Sequence, residues 1–490
     1  MRRLTGEDNS FLAWESATQP QHAIKAVVLD PRRGSEEITF ETLVAAVPTL
    51  VNRIEPLQWQ LLAPRLRFGR PWWIARPWID VGYHVQRTTT AAPGGDRELA
   101  ETIAIICRDR LDRGRPAWQL WYVDGLADGR IALVWKIHHA VADGTASLRL
   151  LEAIYSTDPR TPLPTPAAAL PDQRRPAPWI WLPMVLRHQI AALAGLPRIV
   201  ARTAAVSHTI LRRRKAGKPS YAAGFAAPGA RFNAPLTADR RFAYRGCDLA
   251  VIKEVAQTFG VTVNDVFLAL CSGALRAYLD RHGELSAQSL TAVVPVSMRP
   301  PDGDQWGNKV ARWNVALATD IADPAERLAT IAAATRAARE VQAERDLWLQ
   351  HDWMEYWPLF WFYSRALPLI GERTTHRPTF SLIASNMRGP QQLFFGGAPI
   401  EKLISTGPLV FPMGLNFTGW SYAGQMTIGV LTCGDHVNDP WAIADGLPEA
   451  LAQLADAAPR AASETAQPVE QAERQPAAGV DVQPKAGDRV

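Results

Sequence analysis

Residues Ile131 to Tyr155 read IALVWKIHHAVADGTASLRLLEAIY. Ile131, Leu133, Trp135 and Ile137 alternate with Ala132, Val134 and Lys136, the period of a strand with one face buried. His138 and His139 close that strand, Ala140 to Gly144 turn the chain, and Leu148, Leu151, Ile154 and Tyr155 follow at helical spacing, with Thr145 as the expected N-cap. Neighbouring residues on a strand point to opposite faces, so one imidazole can face a cavity while the other supports it. A histidine at a strand end suits general-base work because its ordinary pKa lies near neutrality. Asp143 has two open roles, an ion pair that ties the turn or a partner that orients an imidazole. Gly144 relieves the backbone where it bends. The same divergence of faces speaks against both histidines ligating one metal, and neither an H-E-x-x-H spacing nor a Cys pair lies nearby.

HHAVADG matches the HHxxxDG motif of CoA-dependent acyltransferases, and its surroundings resemble the bacterial wax ester synthase/acyl-CoA:diacylglycerol acyltransferase family. Further blocks occur in the family's order. Asp8, Phe11, Leu12, Glu15 and Pro20 fit its opening; Asp80 and His84 fit an Asp-x-x-x-His; Pro116 and Trp118 fit a P-L-W with Ala117 in place of Leu. Asn264-Asp265 matches an N-D motif at a helix start, Ser297 and Arg299 a PVSxR, Asn308 a G-N, and Ser385-Asn386 an S-N-x-x-G-P.

The resemblance implies two chloramphenicol-acetyltransferase-like α/β lobes with a tunnel between them, and His139 facing that tunnel as general base. It implies catalytic roles for His138, His139, Asp143 and Gly144, and supporting roles for Asn264, Asp265, Ser385, Asn386 and Arg299, the last as a partner for Asp143. Acyl-CoA enters as co-substrate, with no cofactor or metal, and the acceptor is diacylglycerol or a long-chain alcohol. Two other readings stay open: a condensation-type acyltransferase acting on a glycolipid or carrier-bound acceptor, and a lipid-surface binding protein without activity.

Length and composition fit this frame. The 490 residues, 47% of them hydrophobic, are long for one domain, and the net charge of +5 with mixed signs does not call for nucleic acid. The expected division is a lobe over 1–157, a Pro-rich linker with connecting helices over 158–238, a second lobe over 239–458, and a disordered tail over 459–490. The four cysteines are far apart, which predicts a reduced cytoplasmic setting. Met1-Arg2-Arg3 leads into polar sequence rather than a signal peptide, and no apolar run approaches the ~20 residues of a membrane span. Lipid contact is therefore expected at a surface, the inner face of a membrane or a lipid droplet. The stretch from Trp179 to Lys215 is expected to be helical, interrupted near Pro183 and Pro197, and to pack across the lobes rather than lie on a membrane. An aromatic cluster from Trp348 to Phe362 is expected to serve as core.

Overall fold

In a computed structural model, residues 1–63, 70–76, 79–165, 177–216, 227–299, 306–343, 348–356, 378 and 380–465 are described. Strand β1 (Arg2–Arg3) and helix α1 (Gly6–Trp14) lead into β2 (His22–Leu29), helix α2 (Phe40–Arg53), β3 (Trp59–Leu62) and β4 (Trp72–Ala75). The short α3 (Val81–His84), β5 (Val85–Thr89), α4 (Asp96–Arg108), β6 (Trp118–Asp124), β7 (Ile131–His138) and α5 (Gly144–Ile154) complete the first half. Helix α6 (Pro178–Lys215) connects to β8 (Arg240–Asp248), α7 (Leu249–Thr258), α8 (Val263–Arg281), β9 (Thr291–Ser297), β10 (Val310–Ala316), α9 (Pro324–Ala343) and α10 (Trp348–Met354). Strands β11 (Leu382–Arg388), β12 (Phe394–Phe395), β13 (Ala398–Thr406), β14 (Leu415–Tyr422) and β15 (Gln425–Cys433) precede a final helix, Gly446–Thr465.

Each lobe is built on a six-stranded mixed sheet, ordered β12-β13-β2-β7-β6-β5 in the first and β10-β9-β11-β14-β15-β8 in the second. The expected boundary between the lobes is crossed by the chain. β12 and β13 belong by sequence to the second half, yet β13 pairs antiparallel with β2, Ser405 opposite Lys25 and Thr406 opposite Ile24. The first lobe's sheet is therefore incomplete without residues 394–406, and the two halves of the chain share it.

The central strand β7 departs from the expected one-sided burial, because all eight of its residues are buried. Leu133, Trp135 and Ile137 pack with α1, α2 and α5, while Ala132 and Val134 face α4 and, through it, the second lobe. A strand covered on both faces leaves its alternation as a division between two cores rather than between core and water. Lys136 is carried into the interior with it, 1% exposed.

Helix α6 also differs from expectation. Pro183 and Pro197 lie inside one helix of 38 residues. One face packs on α10: Ile199, Leu349 and Tyr356 form a small core with Ala192, Leu196, Val206 and Trp353. Tyr356 donates to the Ala192 carbonyl at 2.7 Å and Trp353 Nε1 to Thr203 Oγ1 at 2.9 Å. Its segment Pro183–Arg213 is long and apolar enough to cross a membrane by length and composition, and only 6% of its most apolar window is buried. The final helix reaches Thr465, past the expected start of the tail at Pro459; residues 466–490, and Trp357, Phe360, Trp361 and Phe362 of the aromatic cluster, lie outside the described residues.

Candidate active site

β7 delivers His138 to its last position and His139 into the following turn. The turn is pinned at each step. The His139 amide donates to the Gln21 carbonyl at 2.8 Å and the Val141 amide to the His138 carbonyl at 2.9 Å. Helix α5 then begins at Gly144, and its N-cap is Asp143 rather than Thr145: Asp143 Oδ1 accepts from the Ala146 amide at 2.8 Å.

The His139 ring lies between an aromatic plane and an amide. Phe11 of α1 stacks on it, ring centroids 4.2 Å apart and 20° from parallel. Its Nδ1 is 3.1 Å from Asn308 Oδ1. The orientation of the Asn308 amide follows from its other contacts, since Nδ2 donates to Asp8 Oδ1 at 2.8 Å and to the His139 carbonyl at 2.7 Å. With both N–H groups facing acceptors, Oδ1 must face the imidazole, so His139 carries its proton on Nδ1 and leaves the Nε2 lone pair free. Burial first, and then the Lys25 ammonium, push the ring's pKa down to about 4, against the upward pull of Asp143 and the Asn308 hydrogen bond. The imidazole is therefore neutral, and basic at Nε2, at any ordinary pH.

That shift predicts the pH dependence of turnover. The active form is the deprotonated ring, so kcat/KM should stay level as pH falls through the ordinary histidine value of 6.5 and decline only towards pH 4. A pH–rate series in detergent-dispersed substrates checks this; a limb centred near 6.5 would show an exposed, unperturbed base.

His138 takes the opposite face. Its Nδ1 accepts from the Ala140 amide at 3.1 Å, which leaves the ring proton on Nε2, 3.4 Å from Glu15 Oε1. Both side chains are almost fully buried, at 2% and 1% exposure. Burial pushes the Glu15 carboxyl up, but His138 and Arg113, whose Nε donates to Glu15 Oε2 at 2.8 Å, outweigh it and hold the pKa at about 2. This geometry places the His138 ring between the end of β7 and the segment just after α1, the helix that carries Asp8 and Phe11.

Asp143 closes the turn against the second lobe. Its Oδ2 accepts from Arg299 at 2.9 Å and from the Lys309 amide at 2.9 Å. Arg299 also donates to the Gly307 carbonyl at 2.9 Å. The pair is 3% and 1% exposed, a setting in which removing one partner leaves an uncompensated buried charge and costs roughly 3–5 kcal/mol. Gly144 sits against the second lobe: a Cβ there would lie 2.6 Å from Met387 Sδ of β11.

β11 divides Ser385 from Asn386. Leu382 and Ala384 belong to the second lobe's core, and Asn386 Oδ1 approaches the same side at Gly419, next to Phe267 of α8. Ser385 shares the other face with Met387, the side that meets Gly144. Asp265 is occupied elsewhere. Its Oδ2 accepts from the Thr262 amide at 2.9 Å and hydroxyl at 2.7 Å, capping α8, while Oδ1 accepts from Thr335 of α9 at 2.6 Å. Asn264 is half-buried in the same first turn. Asp265→Ala should therefore cost about 1–2 kcal/mol of stability, read as a lowered urea midpoint, with kcat per folded molecule held within a few-fold. His84 is buried beneath the sheet, its Nδ1 2.8 Å from the Trp118 carbonyl, and Trp118 in turn packs on Trp135.

The roles of Asp8, Phe11, Glu15 and Asn308 could not be assigned from the sequence. Each lies in a stretch that matches the family's motifs, so a signal existed, but nothing local to α1 or to Gly307-Asn308 tells which histidine it meets. Lys25 carried no signal at all. It is a buried strand lysine whose ammonium donates to Ser405 Oγ at 2.6 Å and lies 4.6 Å from the Trp420 ring centroid. Burial lowers its pKa to about 7. Among the described residues, no group of three or more His, Cys, Asp or Glu could hold a metal ion.

Comparison with known proteins covers most of the chain. The model of the wax ester synthase/diacylglycerol acyltransferase catalytic domain matches residues 4–267, and that of the WS/DGAT C-terminal domain residues 306–455. A putative diacylglycerol O-acyltransferase of Mycobacterium tuberculosis strain H37Rv is 36% identical over 467 residues, covering 93% of this chain and 90% of its own. A second from that strain is 32% identical over 451 residues, covering 91% and 94%. Among solved structures, the wax ester synthase/diacylglycerol acyltransferase of Marinobacter aquaeolei VT8 superposes with a TM-score of 0.66 at 24% identity, covering 94% of this chain and 100% of its own. The first condensation domain of the calcium-dependent antibiotic synthetase superposes at 0.58 with 17% identity, covering 94% and 97%, which is a likeness of fold. The chain belongs to the wax ester synthase/diacylglycerol acyltransferase family.

Proposed function

We propose that this protein transfers a long-chain acyl group from acyl-CoA to the hydroxyl of diacylglycerol or of a long-chain alcohol, with His139 as general base. The observation that carries the reading is the Asn308 amide, which holds the His139 proton on Nδ1 and leaves Nε2 as a lone pair. The acceptor hydroxyl gives its proton to Nε2 as its oxygen attacks the thioester carbonyl. A tetrahedral oxyanion results and needs a donor already in place. The Ser385 hydroxyl is the proposed donor, because it shares a strand face with Met387 at Gly144. Collapse breaks the carbon–sulfur bond, and the proton on Nε2 passes to the departing CoA sulfur. No acyl-enzyme forms. Asp143, through Arg299 and the Lys309 amide, holds the turn against the second lobe.

The acceptors are membrane-borne, and the reading includes peripheral attachment to a membrane or lipid droplet. The length and apolar composition of α6 support it. Helix α6 is read as lying on the surface, since Arg202 pairs with Asp352 of α10 midway along it and Tyr356 holds a turn nearby. Incubation with palmitoyl-CoA and either diacylglycerol or hexadecanol, followed by separation of the lipids, tests the assignment. Triacylglycerol or wax ester supports it; thiol release without either ester redirects it to another acceptor of the condensation type.

A further inference from the structure

Lys25 is a buried cation without an anion. It stands in the middle of β2, opposite Trp135 of β7 on one side and Ser405 of β13 on the other, and is 4% exposed. An ammonium has three N–H donors and no acceptor. One donor meets the Ser405 hydroxyl at 2.6 Å, and the group lies 4.6 Å from the centroid of the Trp420 ring. Among the described residues no carboxylate is paired with it, and burial alone accounts for the fall of its pKa to about 7. Buried charges are ordinarily paired, because leaving water costs an ion more than one neutral hydrogen bond and one aromatic face offset.

The position of the ammonium shows which anion it could meet. Trp420 of β14 is the register partner of Met387 of β11, so their side chains share a face of the second sheet, and Ser385, two residues before Met387, shares it too. Met387 in turn lies against Gly144, at the end of the His139 turn. The ammonium over Trp420 is therefore on the Ser385 side of that sheet, and near enough to the His139 ring to be, after burial, the largest cause of its lowered pKa. The sign of that influence is informative. A cation beside His139 opposes the positive charge that a general base acquires, so Lys25 does not help the ring take up a proton. It favours the negative charge that develops on the carbonyl oxygen and then on the departing sulfur, and it makes the imidazolium a stronger acid towards that sulfur.

We propose that the Lys25 ammonium is a second donor to the oxyanion, acting with the Ser385 hydroxyl where the two sheets meet, and that the transient anion of the reaction is the counter-charge Lys25 otherwise lacks. As the acceptor oxygen bonds to the thioester carbon, the carbonyl π electrons move onto the oxygen beside Lys25. They return as the carbon–sulfur bond breaks, and the sulfur takes the proton held by His139 Nε2. Lys25 keeps its own protons throughout. The proposal rests on the acyl-transfer reading of His139, but one of its two tests needs no turnover.

Lys25→Met retains an unbranched side chain of similar length and removes the charge. Replacing an unpaired buried ion by an apolar group of similar volume is neutral or stabilising, so the melting temperature should equal or exceed that of wild type. With palmitoyl-CoA and hexadecanol, kcat should fall about 10²-fold, the loss on removing one oxyanion donor, at an unchanged KM for palmitoyl-CoA. Lys25→Gln, a neutral donor, should fall between the two. The second test is binding, read by thermal stabilisation, of palmityl trifluoromethyl ketone, whose hydrate mimics the tetrahedral oxyanion, and of the alcohol made by reducing it, which does not. Lys25→Met should weaken binding of the ketone about tenfold and leave that of the alcohol unchanged. Wild-type kcat in Lys25→Met would overturn the proposal, as would parallel loss of both ligands. Failure of both variants to fold would also overturn it, by giving Lys25 a structural role instead. Wild-type protein that prefers the ketone through Lys25 yet forms no ester would keep the oxyanion site and refute the proposed acyl transfer.

Discussion

His139→Ala is expected to lower kcat at least 10²-fold and up to 10⁴-fold, the range a positioned general base supplies, while the protein stays folded. The ring is half-buried, and the contacts that hold the turn are made by the His139 backbone and by its neighbours rather than by the imidazole. Removing the ring takes away a stack with Phe11 and one hydrogen bond with Asn308. The remaining Asn308 oxygen can be met by water in the space the ring vacates, so the melting temperature should fall by only a few degrees. Turnover by the variant within a few-fold of wild type would exclude His139 as the base, whatever its geometry.

Asn308→Leu is expected to have the second largest effect, roughly 10- to 100-fold on kcat, part of what a correctly protonated base contributes. Leucine is similar in size but offers no acceptor to Nδ1, so the proton is free to sit on either ring nitrogen and the base is wrongly protonated part of the time. The same change takes from Asp8 the donor that the Asn308 amide supplies. Asp8 is 1% exposed, and burial already raises its pKa against the hydrogen bonds from Asn308 and Thr5. A stability loss of about 1–3 kcal/mol should therefore accompany the kinetic loss. The two are separable: a merely structural role would lower the folded fraction and leave kcat per folded molecule and the KM for acyl-CoA alone, whereas positioning lowers kcat at constant KM.

The histidines, the turn and the helix after them were legible in the sequence because strand and helix periods, and a motif, are local. The partnership of Asp143 with Arg299 was reachable through the PVSxR block, and it forms at 2.9 Å across 156 positions of chain. The tautomer of His139 was not reachable. It depends on Asp8, His139 and Asn308 meeting, and no periodicity reports a meeting of a helix near the start, a turn in one lobe and a strand entry in the other. The same limit explains β7, where alternation implied one wet face and tertiary packing covered both. It also explains the lobe boundary, since β13 reads as an ordinary strand of the second half and pairs with β2 of the first. For α6 the prolines misled: Pro183 and Pro197 argue for breaks, and a packed face with Ile199, Leu349 and Tyr356 carries the helix through them.

The most direct measurement is thiol release from palmitoyl-CoA, followed in parallel for wild-type and His139→Ala protein, with and without an acceptor alcohol. Transfer in a single step by a neutral His139 predicts wild-type release that appears only with acceptor and matches the ester formed one for one, and variant release at background. A stoichiometric burst without acceptor, or acceptor-dependent release by the variant at the wild-type rate, would contradict it.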